Sequence, residues 1–311
     1  MMELLVVVTM ISILAAMLFG ALSAARNASA EYRTRATIAK LHTIIMERWE
    51  SYQTRRVPIK TVDTSGNPLT PPVAAEARLV AIRQLMRLEM PDCLSDLKTE
   101  ATDPNTLTDI TDSNVRYCLQ AFNPNFAVKG APPAVWSLYN QRYLANSSKL
   151  TTARESAKCL YLVVSVGSPE AMEQFDTTEI GIDPDDGSPY FVDAWGTPIL
   201  WLRYAPGCSL RTDLDAKFSG FSQIQSGDPV GDHDPFDIRN VDSGAYRLTP
   251  LIYSCGADRQ PGITVGPDDK PYTYQGNPYA TYLVKGVATL MGAKLDSSLN
   301  DNITNHQLGT R

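Results

Sequence analysis

The sequence predicts an α+β fold in which a long N-terminal α-helix packs on a small antiparallel β-sheet, with a helical insertion set on that core. Three observations lead there. No proline occurs between Met1 and Val57, and apolar residues run through that stretch first continuously and then at helical spacing. Short apolar runs at 190–192, 199–204 and 248–253 are separated by Gly, Pro and Asp, the pattern of strands joined by turns. Between the helix and the strands, residues 73–145 carry helical periodicity of their own.

The first element is the most informative. Residues 2–25 read MELLVVVTMISILAAMLFGALSAA, an apolar run with one charge, Glu3, near its start. Its length suffices for a helix to span a bilayer, which needs ~20 apolar residues. An ionised carboxylate inside lipid costs roughly 2.5–3.5 kcal/mol on insertion scales, so an acid there points to a function. A secretory signal peptide would have a basic start and a shorter apolar core; Ala28-Ser29-Ala30 fits its cleavage site, but the run is too long. A plain membrane anchor leaves Glu3 as a cost without return. A helix that packs with copies of itself, where the acid finds a partner, accounts for both features.

From Arg26 the composition turns amphipathic. Ile38, Leu41, Ile45, Trp49 and Tyr52 recur at steps of three and four, with Arg33, Arg35, Lys40, Glu47, Arg48 and Glu50 on other faces. Pro58 ends the pattern. One continuous helix to about Arg56 would be about 80 Å long at roughly 1.5 Å per residue. Residues 1–25 are expected in lipid, 26–56 against a globular domain, and Gly20 with Ser23 at the weakest point.

Residues 57–311 are long enough for one sizeable globular domain or two small ones. A net charge of −6 without a basic stripe argues against nucleic acid as a partner. The five cysteines, Cys93, Cys118, Cys159, Cys208 and Cys255, show no CxxC pair and hence no redox or zinc signature. Cys93 and Cys118 are the nearest couple for a disulfide, and Cys159, inside Cys159-Leu160-Tyr161-Leu162-Val163-Val164, is expected as a buried free thiol.

Along this domain, 61–72 reads as a loop and Pro71-Pro72 opens a helix over 74–90 that Pro91 stops. Short helices are expected at 113–121 and 134–145, and a well-buried one at 152–166. Ser168-Pro169 reads as an N-cap and first helical residue of a short turn reaching Phe175. The three strands follow, and 301–311 reads as a frayed polar tail that includes His306. A long amphipathic helix laid on a small sheet hides the apolar faces of both.

Glu3-Leu4-Leu5-Val6-Val7-Val8, followed by Ile11-Ser12-Ile13-Leu14-Ala15-Ala16, resembles the N-terminal helix of type IV pilins and the pseudopilins of type II secretion. Asp193-Ala194-Trp195-Gly196-Thr197-Pro198 resembles the D-x-W-G-x-P segment of major pseudopilins. Ile252-Tyr253-Ser254-Cys255-Gly256-Ala257-Asp258, running on to Gly262, Gly266, Asp268 and Asp269, resembles their later Y-S-x-G-A-D…D loop. Residues 3–55 and about 190–270 carry the likeness; 57–150 has none. The resemblance implies a pilin-like version of the fold. It implies a basic leader removed by a prepilin peptidase, methylation of the new N-terminus, and Glu3 neutralising a neighbour's amine during assembly. The chain opens Met1-Met2-Glu3, without the leader, glycine and phenylalanine that begin such proteins. Arg26, Arg33 and Arg35 alone would place the domain on the cytoplasmic side; the leader implied by the family supplies the missing cytoplasmic charge.

In major pseudopilins the later loop holds calcium. Here Asp258, Asp268 and Asp269 would supply carboxylates and Ser254 a further oxygen, toward the six to eight that calcium takes. Arg259-Gln260-Pro261 replaces the acidic middle of the family's loop, and a solvated turn is the alternative. Trp195 would cover the sheet while Gly196 and Pro198 turn the chain. Asp183-Pro184-Asp185-Asp186-Gly187 has the spacing of a short calcium loop but lacks the distant glutamate, which favours a surface turn. Asp232-His233-Asp234-Pro235-Phe236-Asp237 reads as a polar loop rather than a transition-metal site.

Enzymatic chemistry has little support. No G-x-S-x-G, P-loop, H-E-x-x-H or G-x-G-x-x-G occurs, and His42 is read as a packed or surface residue of the long helix. The expected role is that of a structural subunit of a type II secretion pseudopilus or type IV pilus-like filament. Its partners would be copies of itself, other pseudopilins, an inner-membrane assembly platform and the prepilin peptidase. It would cross the bacterial inner membrane once, with its C-terminal domain in the periplasm. The competing reading is a membrane-anchored exported binding domain or enzyme acting as a monomer, kept open by the helical insertion.

Overall fold

The computed structural model describes residues 2–57, 62, 65–97, 133–146, 151, 154–205, 233–245, 247–263 and 301–308. It is a mixed α+β structure. Helix α1 spans Met2–Ser51, α2 Pro71–Glu89, α3 Ala134–Asn146 and α4 Glu155–Gly167. Strands β1 (Ile180–Ile182) and β2 (Pro189–Phe191) form an antiparallel pair. Strands β3 (Leu200–Ala205), β4 (Thr249–Ser254) and β5 (Ile303–Thr304) form an antiparallel sheet in that order. The helix expected at 113–121, Cys118 and Cys208 lie outside the described residues; Cys93, the expected partner of Cys118, is a buried, reduced thiol.

Helix α1 is continuous through Gly20, 50 residues or about 75 Å at roughly 1.5 Å per residue. It stops five residues short of Arg56. Tyr52 and Gln53 donate to the carbonyls of Trp49 and Glu50, tightening the last turn to three-residue spacing. Its two halves live in different surroundings. From Val6 to Leu22 all but the half-buried Ala15 are exposed, whereas Ile38, Leu41, Ile45, Trp49 and Tyr52 are all buried, as their spacing predicts.

One hydrophobic cluster joins that lower face to the rest. Ile82 and Met86 of α2, Leu160 and Val164 of α4, Trp201 of β3 and Ile252 of β4 all belong to it. Helix α2 therefore contributes to the same core as the sheet. Cys159 is a buried free thiol, with its pKa pushed well up by burial. The turn after α4 differs in detail from expectation: Pro169–Gln174 is a 3-10 helix, and Ser168 makes no side-chain cap.

The tail is the main correction. Asn302 through His306 are buried, and β5 pairs Tyr253 with Thr304 and Ser254 with Ile303. The polar residues there are not frayed because their side chains complete the sheet. Asn305 accepts from the Ile252 N–H (2.8 Å) and donates to the Pro250 carbonyl (2.9 Å) and to His42 Nδ1 (3.0 Å). Pro250 has no N–H for the ladder, and across from it the β3–β4 register shifts between Leu202 and Ala205.

Candidate functional site

Two regions gather the residues singled out by sequence: the upper half of α1 and the turns where the sheet meets its lower half. Glu3 lies in the first turn of α1. Beyond it the helix presents Val7, Ile11, Leu14, Leu18 and Phe19 to the surroundings, Phe19 at 73% exposure. This is the one helix among the described residues long and apolar enough to cross a membrane. Burying each such side chain is worth about 1.5–3 kcal/mol, so the surface needs lipid or protein against it.

The Asp193–Pro198 segment is a tight turn built by its own first residue. One Asp193 carboxylate oxygen accepts from the N–H groups of Trp195 (3.0 Å) and Thr197 (2.8 Å); the other takes the Thr197 and Ser254 hydroxyls, the latter at 2.6 Å. Gly196 sits at φ +79°, which a side chain would strain, and Pro198 bridges back to Val192. Trp195 packs, partly buried, against the core. The Ala194 N–H donates to Thr34 of α1 (3.1 Å), so the turn is seated on the long helix. Nearby, Glu179 accepts from Lys40 (2.8 Å) and Thr37 (2.5 Å), a second tie between α1 and the sheet region.

Ser254 thus joins the two family-like motifs. Its hydroxyl donates to Asp193 and accepts from the Gly256 N–H (3.1 Å). Asp258 closes a turn by accepting from the Gln260 N–H (2.7 Å), while its own N–H donates to Asp301 (2.9 Å). Asp268 and Asp269 lie outside the described residues. The described part of the loop offers the carboxylates of Asp258 and Asp301, with the Ser254 hydroxyl engaged by Asp193 and Gly256.

The other acid clusters are answered from within the chain. In the Asp183–Gly187 loop, the buried Lys158 reaches Asp183 (2.9 Å) and Asp186, and Arg154 reaches Asp183 (2.9 Å). These bonds hold the carboxyl pKa of both acids below the usual range against the pull of burial. A protein cation stands where a calcium loop would need an ion. In the 233–237 loop, Asp234 pairs with Arg83 (2.9 Å), and Asp237 accepts from His233, Val241 and Asp242.

A buried network escaped the sequence reading. Arg203, fully buried on β3, pairs with Asp96 (2.9 Å) and Asp92 (3.3 Å), and Arg87 pairs with Asp96 (2.5 Å). The Arg203 N–H donates to Asp92 at 3.1 Å, within the stretch where the ladder shifts. Asp92, Cys93 and Asp96 come close enough together to hold a metal ion. Two guanidiniums already occupy the carboxylates, so the arrangement serves folding. The signals were a lone arginine in the apolar run Leu200–Ala205 and two acids four residues apart after Pro91.

No family model, curated protein or solved structure matches the chain.

Proposed function

We propose that the chain is a structural subunit of a filament of the type IV pilus or type II secretion pseudopilus kind. The observation that carries this reading is the split character of α1: one helix, continuous from Met2, whose lower half is built into the globular core while its apolar upper half, from Val6 to Leu22, is not covered by any of the described residues. The pilin-like residues 3–16 fall in that apolar half, and the two other family-like motifs meet against the lower half through Asp193, Ser254 and Thr34.

In this mechanism the upper half is stored in the inner membrane, with the globular domain in the periplasm. It then leaves lipid for a bundle of sister helices. Lipid tails are as apolar as leucine, so close packing and polar pairing, rather than escape from water, favour the bundle. Each subunit offers one surface to the next and a different one to the last, an open-ended assembly. Glu3 sets the register by pairing with a neighbour's N-terminal amine, which relieves the cost of an acid in lipid. The assembly platform, the prepilin peptidase and other pseudopilins are the partners in this reading. No step of it requires calcium.

Replacing Glu3 by Ala or by Gln in the full-length chain tests the proposal. Both variants should fractionate with membranes yet give no filaments by negative-stain microscopy. Filaments at normal yield from both would remove Glu3 from assembly.

A further inference from the structure

A cavity of about 640 Å³ opens where the lower end of α1 meets α2, α3 and the end of α4. Three guanidiniums line it, those of Arg48, Arg55 and Arg56. Glu89 is bound on both carboxylate oxygens by Arg55 (2.5 and 2.7 Å) and also accepts from Tyr52 (2.8 Å), and among the described residues neither Arg48 nor Arg56 bonds that carboxylate. Among the described residues Arg48 bonds only neutral groups: the Gly167 carbonyl (3.0 Å), the Tyr139 hydroxyl (3.0 Å) and the Glu89 carbonyl (3.4 Å). Arg56 has no hydrogen bond or ion pair among the described residues. Against these three cations the lining holds two acids, Glu47 and the occupied Glu89.

The wall beside them reinforces the bias. Helix α3 begins here, and a helix leaves its first N–H groups without internal partners. Pro133 precedes it and has no side-chain oxygen to cap them; the first bond into the helix is Ser137 N–H to the Pro133 carbonyl (3.2 Å). Guanidinium forks and open helix N–H groups both suit a phosphate or carboxylate. Ile44, Leu85 and Val135 supply an apolar side to the same space, and its volume falls in the range of small-molecule sites.

We propose that this cavity binds a small molecule with an oxyanion head, a phosphate or carboxylate, on Arg48, Arg56 and the start of α3, and a less polar body against Ile44, Leu85 and Val135. The inference stands apart from filament assembly, since it uses no residue of the exposed half of α1.

Phenyl phosphate is a suitable probe, with phenylacetate carrying a carboxylate head, inorganic phosphate the head alone and phenol the body alone. Full-length protein in detergent should show a higher thermal midpoint with phenyl phosphate or phenylacetate than with sodium chloride at equal ionic strength, by mass action on the folded state. Inorganic phosphate should act more weakly and phenol not at all. Arg56→Gln, an exposed change, should keep the far-UV spectrum and weaken binding by about tenfold, the worth of one charge-assisted bond. No midpoint rise with either aromatic anion, a rise undiminished in Arg56→Gln, or an equal rise with phenol would overturn the proposal.

Discussion

At the scale of single residues, the fold rests on buried charges that answer one another. Arg203 faces two acids in a dry site, and they share its charge unequally. Asp96, held by Arg87 as well, stays below the usual carboxylate range, while burial and the neighbouring Asp96 push Asp92 up to about 7. His306 is shifted the other way: burial lowers it to about 4, and its Nε2 lies 2.9 Å from the Pro250 carbonyl. The two act on stability with opposite signs. A carboxyl raised in the folded state favours folding below its unfolded pKa and loses that contribution as pH rises toward 7. An imidazole lowered in the folded state favours folding above its unfolded pKa and loses that as pH falls toward 4. Between about pH 4 and 6.5 the two largely offset each other. Asp92→Asn removes one side, so its urea midpoint should fall on acidification more steeply than the wild type's; parallel slopes would show that Asp92 does not hold the proton. The apolar positions of this core were legible from spacing, as Ile38 through Tyr52 attest. The ionic positions were not, because Arg203 lies far along the chain from Asp92 and Asp96, and only the fold brings them together.

At the scale of elements, the sheet is completed by side chains as much as by strands. Strands β2, β3 and β4 were legible because Tyr190, Trp201 and Ile252 sit in apolar runs bounded by turn residues. Strand β5 was not, because Asn302-Ile303-Thr304-Asn305-His306 has the composition of a loop and forms only two ladder pairs. Its hold on β4 comes from Asn305, whose amide serves one main-chain donor and one acceptor of that strand and also reaches His42 on α1. Asn305→Ala strands buried groups at about 1–3 kcal/mol each, for a loss of roughly 2–4 kcal/mol in chemical denaturation. A loss under about 0.5 kcal/mol, the level of an ordinary surface change, would mean that water replaces the amide there. The Asp193 turn teaches the same lesson from the other side. Its sequence announced a turn with a packed tryptophan, but the use of Ser254 to tie it to β4 depends on the β3–β4 pairing.

For the whole molecule, the division of α1 decides behaviour in solution. Among the described residues the upper half takes no part in the globular core, so a chain beginning at Arg26 should be soluble without detergent and monomeric by sedimentation, with the near-UV circular dichroism of the full-length protein. A fragment that needs detergent to stay folded would show that the apolar half supports the domain. That division was plain in the sequence, where the run to Ala25 gives way to helical spacing after Arg26. The place where packing begins was less plain, since the first buried side chain is Thr34, a polar residue that receives the Asp193 turn. The continuity of α1 has one more consequence. A helix without a break fixes azimuth as well as distance. Each residue advances it by about 100°, so docking Ile38 and Tyr52 on the sheet also fixes the compass bearing of Ile11 and Phe19. The domain below thereby aims the stripes above, as a key's bow sets the angle of its teeth.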